Sequence, residues 1–187
     1  MPVPGYEIHG YAIVSDDDMI ADGNGDMPDA LRNQADWDYF QGELDRARLV
    51  VLGRRSHLQS PNAKRRPRLV LSRRVRNLEQ KPDAWWWNPA HRSFAEVLDR
   101  IVPGGGRIAV PGGQEVFDLL LDDAGFDVFH LSRARGISLP GGRPVFGGTS
   151  RGVVAESILS GRGMRAGSVV TIDPRVPVEL TLWRRAD

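Results

Sequence analysis

The chain has 187 residues, of which 41% are hydrophobic, and its formal net charge is only +1. This length and apolar content are enough to bury one sizeable core, so we expect a single domain over residues 1–187. The sequence contains no cysteine, which excludes disulfides, thiolate metal sites and a cysteine nucleophile; redox chemistry would need a bound cofactor. Residues 1–5 lack the features of a signal peptide and no run of 18 apolar residues occurs, so we expect a cytoplasmic protein without membrane contact.

The small net charge conceals an uneven distribution of charged residues. Residues 1–48 contain eleven Asp and Glu against three Arg, whereas residues 54–76 contain nine Arg and Lys and no carboxylate. The planar guanidinium of arginine suits bidentate contacts to phosphate. A nucleic-acid-binding surface is one alternative for the basic stretch. Its cations lie beside Gly and Ser without interleaved aromatic residues, which favours a small phosphorylated ligand and no nucleic acid.

The first half of the chain alternates between strand and helix patterns. The apolar, β-prone run Ile8–Val14 predicts a strand. From Asp36 onward, large apolar residues recur at helical spacing and predict an amphipathic helix whose rings face the core. Apolar runs at Leu49–Leu52 and Leu69–Leu71 predict two more strands, with a short helix starting near Ser56 between them.

The middle of the chain continues this alternation. Trp85–Trp87 predicts the end of an extended segment. Ser93 is the predicted N-cap of a helix over Phe94–Ile101, because Glu96 occupies the capping-box position. A strand at Ile108–Val110 then passes through Pro-Gly-Gly into a helix over residues 114–121.

The C-terminal part has a different pattern. After a strand at Val128–Leu131, the segments Val153–Leu159, Ser168–Ile172 and Val178–Trp183 all look like strands, joined by turns rich in Gly and Pro with no helix between them. Such strands are expected to pair antiparallel at the end of the sheet. The chain as a whole therefore predicts an α/β fold with a mixed, mostly parallel sheet.

Three predicted strand ends carry residues suited to phosphate. The strand at residues 49–52 ends at Gly53-Arg54-Arg55-Ser56, the strand at 69–71 at Ser72-Arg73-Arg74, and the strand at 108–110 at Pro111-Gly112-Gly113. Ligands of open α/β sheets bind off the carboxyl ends of the strands, where loops and helix N-termini offer free N–H groups. The sequence therefore predicts a phosphorylated, dinucleotide-type ligand at this edge.

Seven motifs with compatible spacings occur in order between Tyr6 and Gly148: Tyr11-Ala-Ile-Val-Ser, Met19-Ile20-Ala21, Met27-Pro28, Asp36-Trp-Asp-Tyr-Phe40, Val51-Leu-Gly-Arg-Arg-Ser56, Arg66-Pro-Arg-Leu-Val-Leu-Ser72 and Val110-Pro-Gly-Gly-Gln-Glu-Val-Phe117. In this order the chain resembles the dihydrofolate reductase family, including the reductase domain of riboflavin biosynthesis enzymes. The resemblance implies a three-layer α/β/α fold whose mixed, mostly parallel sheet has about eight strands, the C-terminal ones antiparallel. It also implies hydride transfer from NADPH to dihydrofolate or a related pterin.

The resemblance implies a cofactor site at the strand ends. In the family the glycine pair matching Gly112 and Gly113 is joined by a cis peptide, and a residue placed like Arg54 can reach the 2′-phosphate of NADPH. The implied cofactor-binding residues are Ile13, Ile20, Gly53, Arg54, Arg55, Ser56, Leu71, Ser72, Arg73, Gly112, Gly113, Gln114, Glu115 and Val116.

The resemblance also implies a substrate site around Asp36, which is the predicted catalytic residue. A carboxylate there would hydrogen-bond the amino-pyrimidine edge of the substrate and promote its protonation, and Phe40, four residues later, would pack against the ring. The implied substrate-binding residues are Ala12, Asp36, Phe40, Arg66 and Ser132, with Arg66 matching the position that binds the folate tail. We expect a monomer or homodimer.

Several alternatives remain open. Asp36 could instead be a helix N-cap. Asp29 stands where the family usually has Trp, so a member that keeps the cofactor site but has lost catalysis is possible. The segment 138–146 looks closer to the riboflavin-pathway relatives, which makes 5-amino-6-ribosylaminopyrimidine reductase the alternative activity. The four histidines, at positions 9, 57, 91 and 130, show no metal-ligand spacing, so no metal site is expected.

Overall fold

A computed structural model describes residues 1–186. Two short 3-10 helices lie at Asp29–Leu31 and Gly147–Arg151. The strands and α-helices occur in the order β1 (Tyr6–Val14), β2 (Met19–Ala21), α1 (Gln34–Leu44), β3 (Leu49–Gly53), α2 (Arg54–Gln59), β4 (Arg68–Leu71), β5 (Leu78–Gln80), β6 (Trp85–Trp87), α3 (Phe94–Ile101), β7 (Gly106–Gly112), α4 (Gln114–Asp122), β8 (Val128–Ala134), β9 (Arg143–Pro144), α5 (Ala155–Gly161), β10 (Met164–Asp173) and β11 (Val178–Arg185).

Nine of the strands form one twisted sheet with the order β10-β11-β8-β1-β7-β3-β4-β6-β5. The neighbours from β8 to β6 are parallel, whereas β11, β10 and β5 pair antiparallel. The remaining two strands, β2 and β9, form a separate antiparallel pair. The predicted mixed, mostly parallel sheet with antiparallel C-terminal strands is therefore confirmed, with nine strands in place of about eight.

The helices cover both faces of the sheet. Apolar residues of α3, α4 and α5 share one large core with the sheet, in which Phe94, Phe117 and Phe129 are fully buried. On the other face Leu44 and Phe40 of α1 pack on a smaller core formed by alternate residues of the central strands. Because successive residues of a strand point to opposite faces, a strand buried on both sides is apolar throughout, as the run 49–52 is.

The local signals at the start of α3 are confirmed. The Ser93 backbone N–H donates to Glu96 Oε2 at 3.0 Å, and the Glu96 N–H donates to Ser93 Oγ at 3.4 Å. The two residues form a capping box that satisfies free donors at the helix N-terminus.

Two predictions of local structure are wrong. Val153–Leu159 is not a strand, because α5 begins at Ala155. Ala155 and Leu159 are four residues apart, so on a helix both face the large core, and this burial overrides the β-propensity of the valines. Trp37 was expected to face the core, but 54% of it is exposed. No helix within residues 1–186 is both long enough and apolar enough to cross a membrane.

The close packing of β1 against β8 gives a test of the core. A Cβ added at Gly10 would lie 2.4 Å from Phe129 Cδ2, whereas one added at Gly42 in α1 would meet nothing within 4 Å. We expect Gly10→Ala to lower the free energy of unfolding by about 1–3 kcal/mol through overpacking. Gly42→Ala should raise it by up to ~1 kcal/mol, because alanine favours the helix. Urea unfolding measures both changes, and equal effects would contradict this packing.

Candidate active site

The three predicted strand ends lie side by side. Gly53, which ends β3, pairs with Leu71 at the end of β4, and Leu52 pairs with Gly112 at the end of β7. These strands are parallel neighbours, so the loops that follow them leave the sheet at the same edge. The structure thus brings together the cofactor-binding residues predicted at all three ends.

Glycines let the backbones approach closely at this edge. A Cβ on Gly53 would lie 3.5 Å from the Val116 side chain, and one on Gly113 would lie 3.7 Å from Ile20 of β2. Gly112 has φ of 95°, and a Cβ added to it would lie 2.6 Å from the Phe117 ring, so only glycine fits there. The peptide between Gly112 and Gly113 is cis, as the resemblance implies.

Charged side chains surround this edge. Arg73 after β4 lies 3.6 Å from Glu115 in the first turn of α4, and both are exposed. Arg55 in α2 donates to Asp26 at 3.0 Å and so links that helix to the loop after β2. Arg54 is the first residue of α2, where it is half-buried at the end of β3. The edge therefore carries arginine donors on two of its three segments.

Asp36 lies in the first turn of α1, the helix that covers one face of the sheet. The N-cap of α1 is Asn33, whose side chain accepts from the Asp36 N–H at 3.0 Å, so the N-cap interpretation of Asp36 is wrong. Burial raises the pKa of the Asp36 carboxyl above its usual value, and the hydroxyl of Ser132 partly offsets this rise. The structure thus pairs the two residues that were predicted to bind substrate, although 96 positions separate them.

Aromatic side chains extend this site along α1. The Phe40 ring, one turn after Asp36, lies 5.8 Å from the Tyr11 ring and 5.9 Å from the Trp37 ring. Trp37 is largely exposed, so the group runs from the sheet surface to solvent. A half-buried carboxyl flanked by rings is suited to bind a flat heterocycle that carries N–H donors.

Solved structures of other proteins share this architecture, and three of them are similar over 97% of this chain. A protein from Shewanella sp. PV-4 assigned to riboflavin biosynthesis aligns with a TM-score of 0.70 at 19% identity, covering 97% of this chain and 99% of that one. Dihydrofolate reductase from Enterococcus faecalis, complexed with NADP(H) and RAB-propyl, aligns with a TM-score of 0.69 at 17% identity, covering 97% of both chains.

The third protein is a deaminase and 5-amino-6-(5-phosphoribosylamino)uracil reductase from Thermotoga maritima, with a TM-score of 0.67 at 16% identity. The alignment covers 97% of this chain but only 57% of that one. The chain has the dihydrofolate reductase fold. No protein-family model and no curated protein matches the sequence.

Within the dihydrofolate reductase fold, three predicted residues have surroundings that the sequence did not reveal. Ala12 packs against the large core with Ile20, on the opposite sheet face from Asp36, whereas Ile13 pairs with Ser132 on the face of α1. Arg66 contacts the C-terminal half of α1, where its Nη2 donates to Asp45 at 2.7 Å. The structure therefore does not bring the Ala12 or Arg66 side chains together with Asp36.

Asp29, at the position where the family usually has Trp, points to solvent. Asp29 begins a 3-10 turn, its side chain is fully exposed, and it lies 3.2 Å from Arg32. Leu31 of the same turn is buried and fills a small core beside Ile13. The turn thus anchors the loop through an apolar side chain while its carboxylate points to solvent.

A buried polar cluster beneath α1 was missed by the sequence analysis. His9, Glu43 and His130 lie together there, with Tyr11 and Tyr39 hydrogen-bonded to them. Burial lowers the pKa of His9 to about 4 and that of His130 to about 3, and it raises the pKa of Tyr39 to about 12. The only local signal was that each histidine lies within an apolar strand segment, His9 after Ile8 and His130 between Phe129 and Leu131.

The raised pKa of Asp36 predicts a pH-dependent effect on stability. The carboxyl favours folding while it is protonated, and this contribution is lost as the pH rises through its raised pKa in the folded protein. Asp36→Asn does not titrate, so its free energy of unfolding should exceed that of the parent at pH 7, and the difference should shrink toward pH 4. Asp38→Asn, an exposed carboxylate on the same helix, is the control. A difference independent of pH would contradict the buried placement of Asp36.

Proposed function

We propose that the protein is an NADPH-dependent reductase that transfers hydride to a C=N bond of dihydrofolate or a related pterin. The observation that carries the proposal is the pairing of the half-buried Asp36 with Ser132 within this fold. The carboxyl ends of β3, β4 and β7, with their glycines and arginines, lie side by side in the same sheet. The Enterococcus faecalis enzyme of the same fold is complexed with NADP(H).

The residues at the strand edge fit a dinucleotide phosphate. The Gly112-Gly113 backbone carries no side chains, so a pyrophosphate can approach its N–H groups. Arg54 and Arg73 follow neighbouring strands, and a guanidinium at such a position can bind the 2′-phosphate that distinguishes NADPH from NADH. When bound, NADPH supplies the hydride; the protein positions it and keeps water from the ring.

Asp36 would bind and orient the substrate. An aminopyrimidine edge presents two adjacent N–H donors, which a carboxylate can accept together. Its raised pKa brings the carboxyl closer to the pH at which a group can both hold and release a proton. Phe40 and Tyr11 would pack against the ring. Together they would hold the heterocycle beside the strand edge that binds NADPH.

The second candidate substrate is 5-amino-6-(5-phosphoribosylamino)uracil, and the surroundings of Arg66 favour it. Arg66 donates to Asp45 and Gln41, so its guanidinium is already engaged at the position expected to bind a folate tail. The riboflavin-pathway substrate lacks that tail. The Thermotoga maritima protein of this fold is named for reduction of this compound.

The ion pairs of the basic stretch argue against the nucleic-acid alternative. Four of its nine cations lie within 4 Å of a carboxylate: Arg55 with Asp26, Lys64 and Arg66 with Asp45, and Arg73 with Glu115. These carboxylates reduce the positive potential that a phosphate backbone would meet.

The direct test follows NADPH oxidation with dihydrofolate and, separately, with the ribosylaminopyrimidine phosphate. We expect turnover of one substrate, and we expect Asp36→Asn to lower kcat/KM by about 10²–10⁴-fold, because the group that assists protonation is lost. Asp38→Asn removes an exposed carboxylate from the same helix and should keep the parent rate.

The outcomes separate the parts of the proposal. Turnover of dihydrofolate alone supports the pterin reductase, and turnover of the phosphate compound alone supports the riboflavin-pathway activity. Equal values of kcat/KM for the parent and Asp36→Asn would contradict the proposed role of Asp36 in protonating the substrate. Failure to oxidise NADPH with either compound would contradict the proposed substrates.

A further inference from the structure

The buried cluster beneath α1 combines two imidazoles and a carboxylate from distant parts of the chain. His9 Nδ1 lies 3.1 Å from His130 Nε2, and His130 Nε2 lies 4.0 Å from Glu43 Oε2. One ligand atom from each residue lies within 4.8 Å of the other two, and all three residues are buried. A tetrahedral Zn²⁺ with bonds of about 2.0–2.1 Å separates its ligand atoms by roughly 3.3 Å, which falls between the two measured distances.

The outward nitrogens of both imidazoles have partners. His9 Nε2 lies 3.6 Å from the Glu7 carboxylate, and His130 Nδ1 lies 2.6 Å from the Tyr39 hydroxyl. If each ring keeps its proton on that outward nitrogen, the lone pairs of the two inner nitrogens face each other. Metal-bound histidines show this arrangement, in which the outward ring N–H donates to a carboxylate or other oxygen that fixes the tautomer and orients the ring.

The chemistry of these three groups selects the ion. Mg²⁺ and Ca²⁺ prefer oxygen ligands, whereas two neutral imidazoles with one carboxylate suit Zn²⁺. With no cysteine in the chain, thiolate ligands cannot compete for the metal. We propose that His9, His130 and Glu43 form a Zn²⁺ site buried between α1 and the sheet, with a water or the Tyr11 hydroxyl as the fourth ligand.

The three metal ligands are distinct from the residues proposed to bind substrate, although Tyr11 adjoins both groups, since its hydroxyl donates to Glu43 and its ring lies 5.8 Å from the Phe40 ring. Asp36 and Glu43 are seven residues apart on α1, which places them on the same side of the helix but about 10 Å apart along its axis. Tyr39 lies between them and contacts the cluster through His130. Because His9, His130 and Glu43 have no role in the proposed reductase, Zn²⁺ binding can be tested whether or not the reductase function holds.

The positive charge of Arg107, on the carboxylate oxygen that faces His130, opposes metal binding. Arg107 Nη1 donates to Glu43 Oε2 at 3.1 Å, and the Tyr11 hydroxyl donates to the same oxygen at 3.2 Å. The guanidinium balances the buried carboxylate, and Zn²⁺ would have to bind beside this positive charge. Removing Arg107 leaves Glu43 Oε2 without a cationic partner, while Arg46 Nη1 still donates to Glu43 Oε1 at 3.0 Å, so the variant should bind the cation more tightly.

The test uses untagged, metal-free protein titrated with Zn²⁺ and with Co²⁺, whose visible absorption reports tetrahedral coordination; Mg²⁺ is the control ion. Because the cluster is buried, each titration is done on native protein and on protein refolded with the metal. We expect one Zn²⁺ per chain and no binding of Mg²⁺. Absence of stoichiometric Zn²⁺ binding by both preparations would overturn the proposal and leave a hydrogen-bonded network.

Variants identify the ligands. His130→Gln should abolish tetrahedral Co²⁺ absorption, whereas His91→Gln, which removes an exposed imidazole elsewhere, should leave it unchanged. Tyr39→Phe keeps the ring and should weaken Zn²⁺ binding by about 10–100-fold through loss of the outer oxygen. It also serves as the test if His130→Gln fails to fold, as judged by circular dichroism.

Arg107→Gln distinguishes a metal site from a merely structural network. We expect it to tighten Zn²⁺ binding by about tenfold or more, since one charge at close range shifts such equilibria by one to three powers of ten. Unchanged Co²⁺ spectra in both His130→Gln and Tyr39→Phe, or weaker Zn²⁺ binding by Arg107→Gln, would contradict the assigned ligands.

Discussion

The parallel alignment of β7, β3 and β4 is the constraint on which the rest of the structure depends. Neighbouring strands lie about 4.8 Å apart, so the ends of these three strands fall within roughly 10 Å of one another. Gly53, Leu71 and Gly112 come from segments up to 59 residues apart, and only the register of the sheet makes them adjacent. The edge thus combines bare glycine backbone from one strand with arginines that follow the other two.

Helix α1 positions polar groups on the opposite side of the sheet from the large core. Only Glu43 and Leu44 of this helix are fully buried, so apolar burial contributes little to its docking. Glu43 is buried together with Arg107 and Tyr11, and a buried charge of this kind is tolerated only when it is paired and hydrogen-bonded. The same helix carries Asp36 at its other end, so its placement sets the positions of both the carboxyl of the proposed substrate site and the buried cluster.

The sequence was informative where the signal is local. The capping box at Ser93, the apolar run at residues 49–52 and the Gly112-Gly113 turn each depend on a few adjacent residues, and the structure contains them as predicted. It was misleading where tertiary contacts determine the secondary structure. Val153–Leu159 has β-propensity, but burial of Ala155 and Leu159 favours a helix. The His9–His130 contact joins residues 121 positions apart through the β1–β8 pairing, and no spacing rule could reveal it.

The central claim is that three strand ends form one coenzyme site, and amide hydrogen exchange with and without NADPH tests it most directly. Binding should slow exchange together at residues 53–56, 71–73 and 112–116, while the edge strand β10 is unaffected. Protection confined to one of these segments, or located on another face of the protein, would contradict the account.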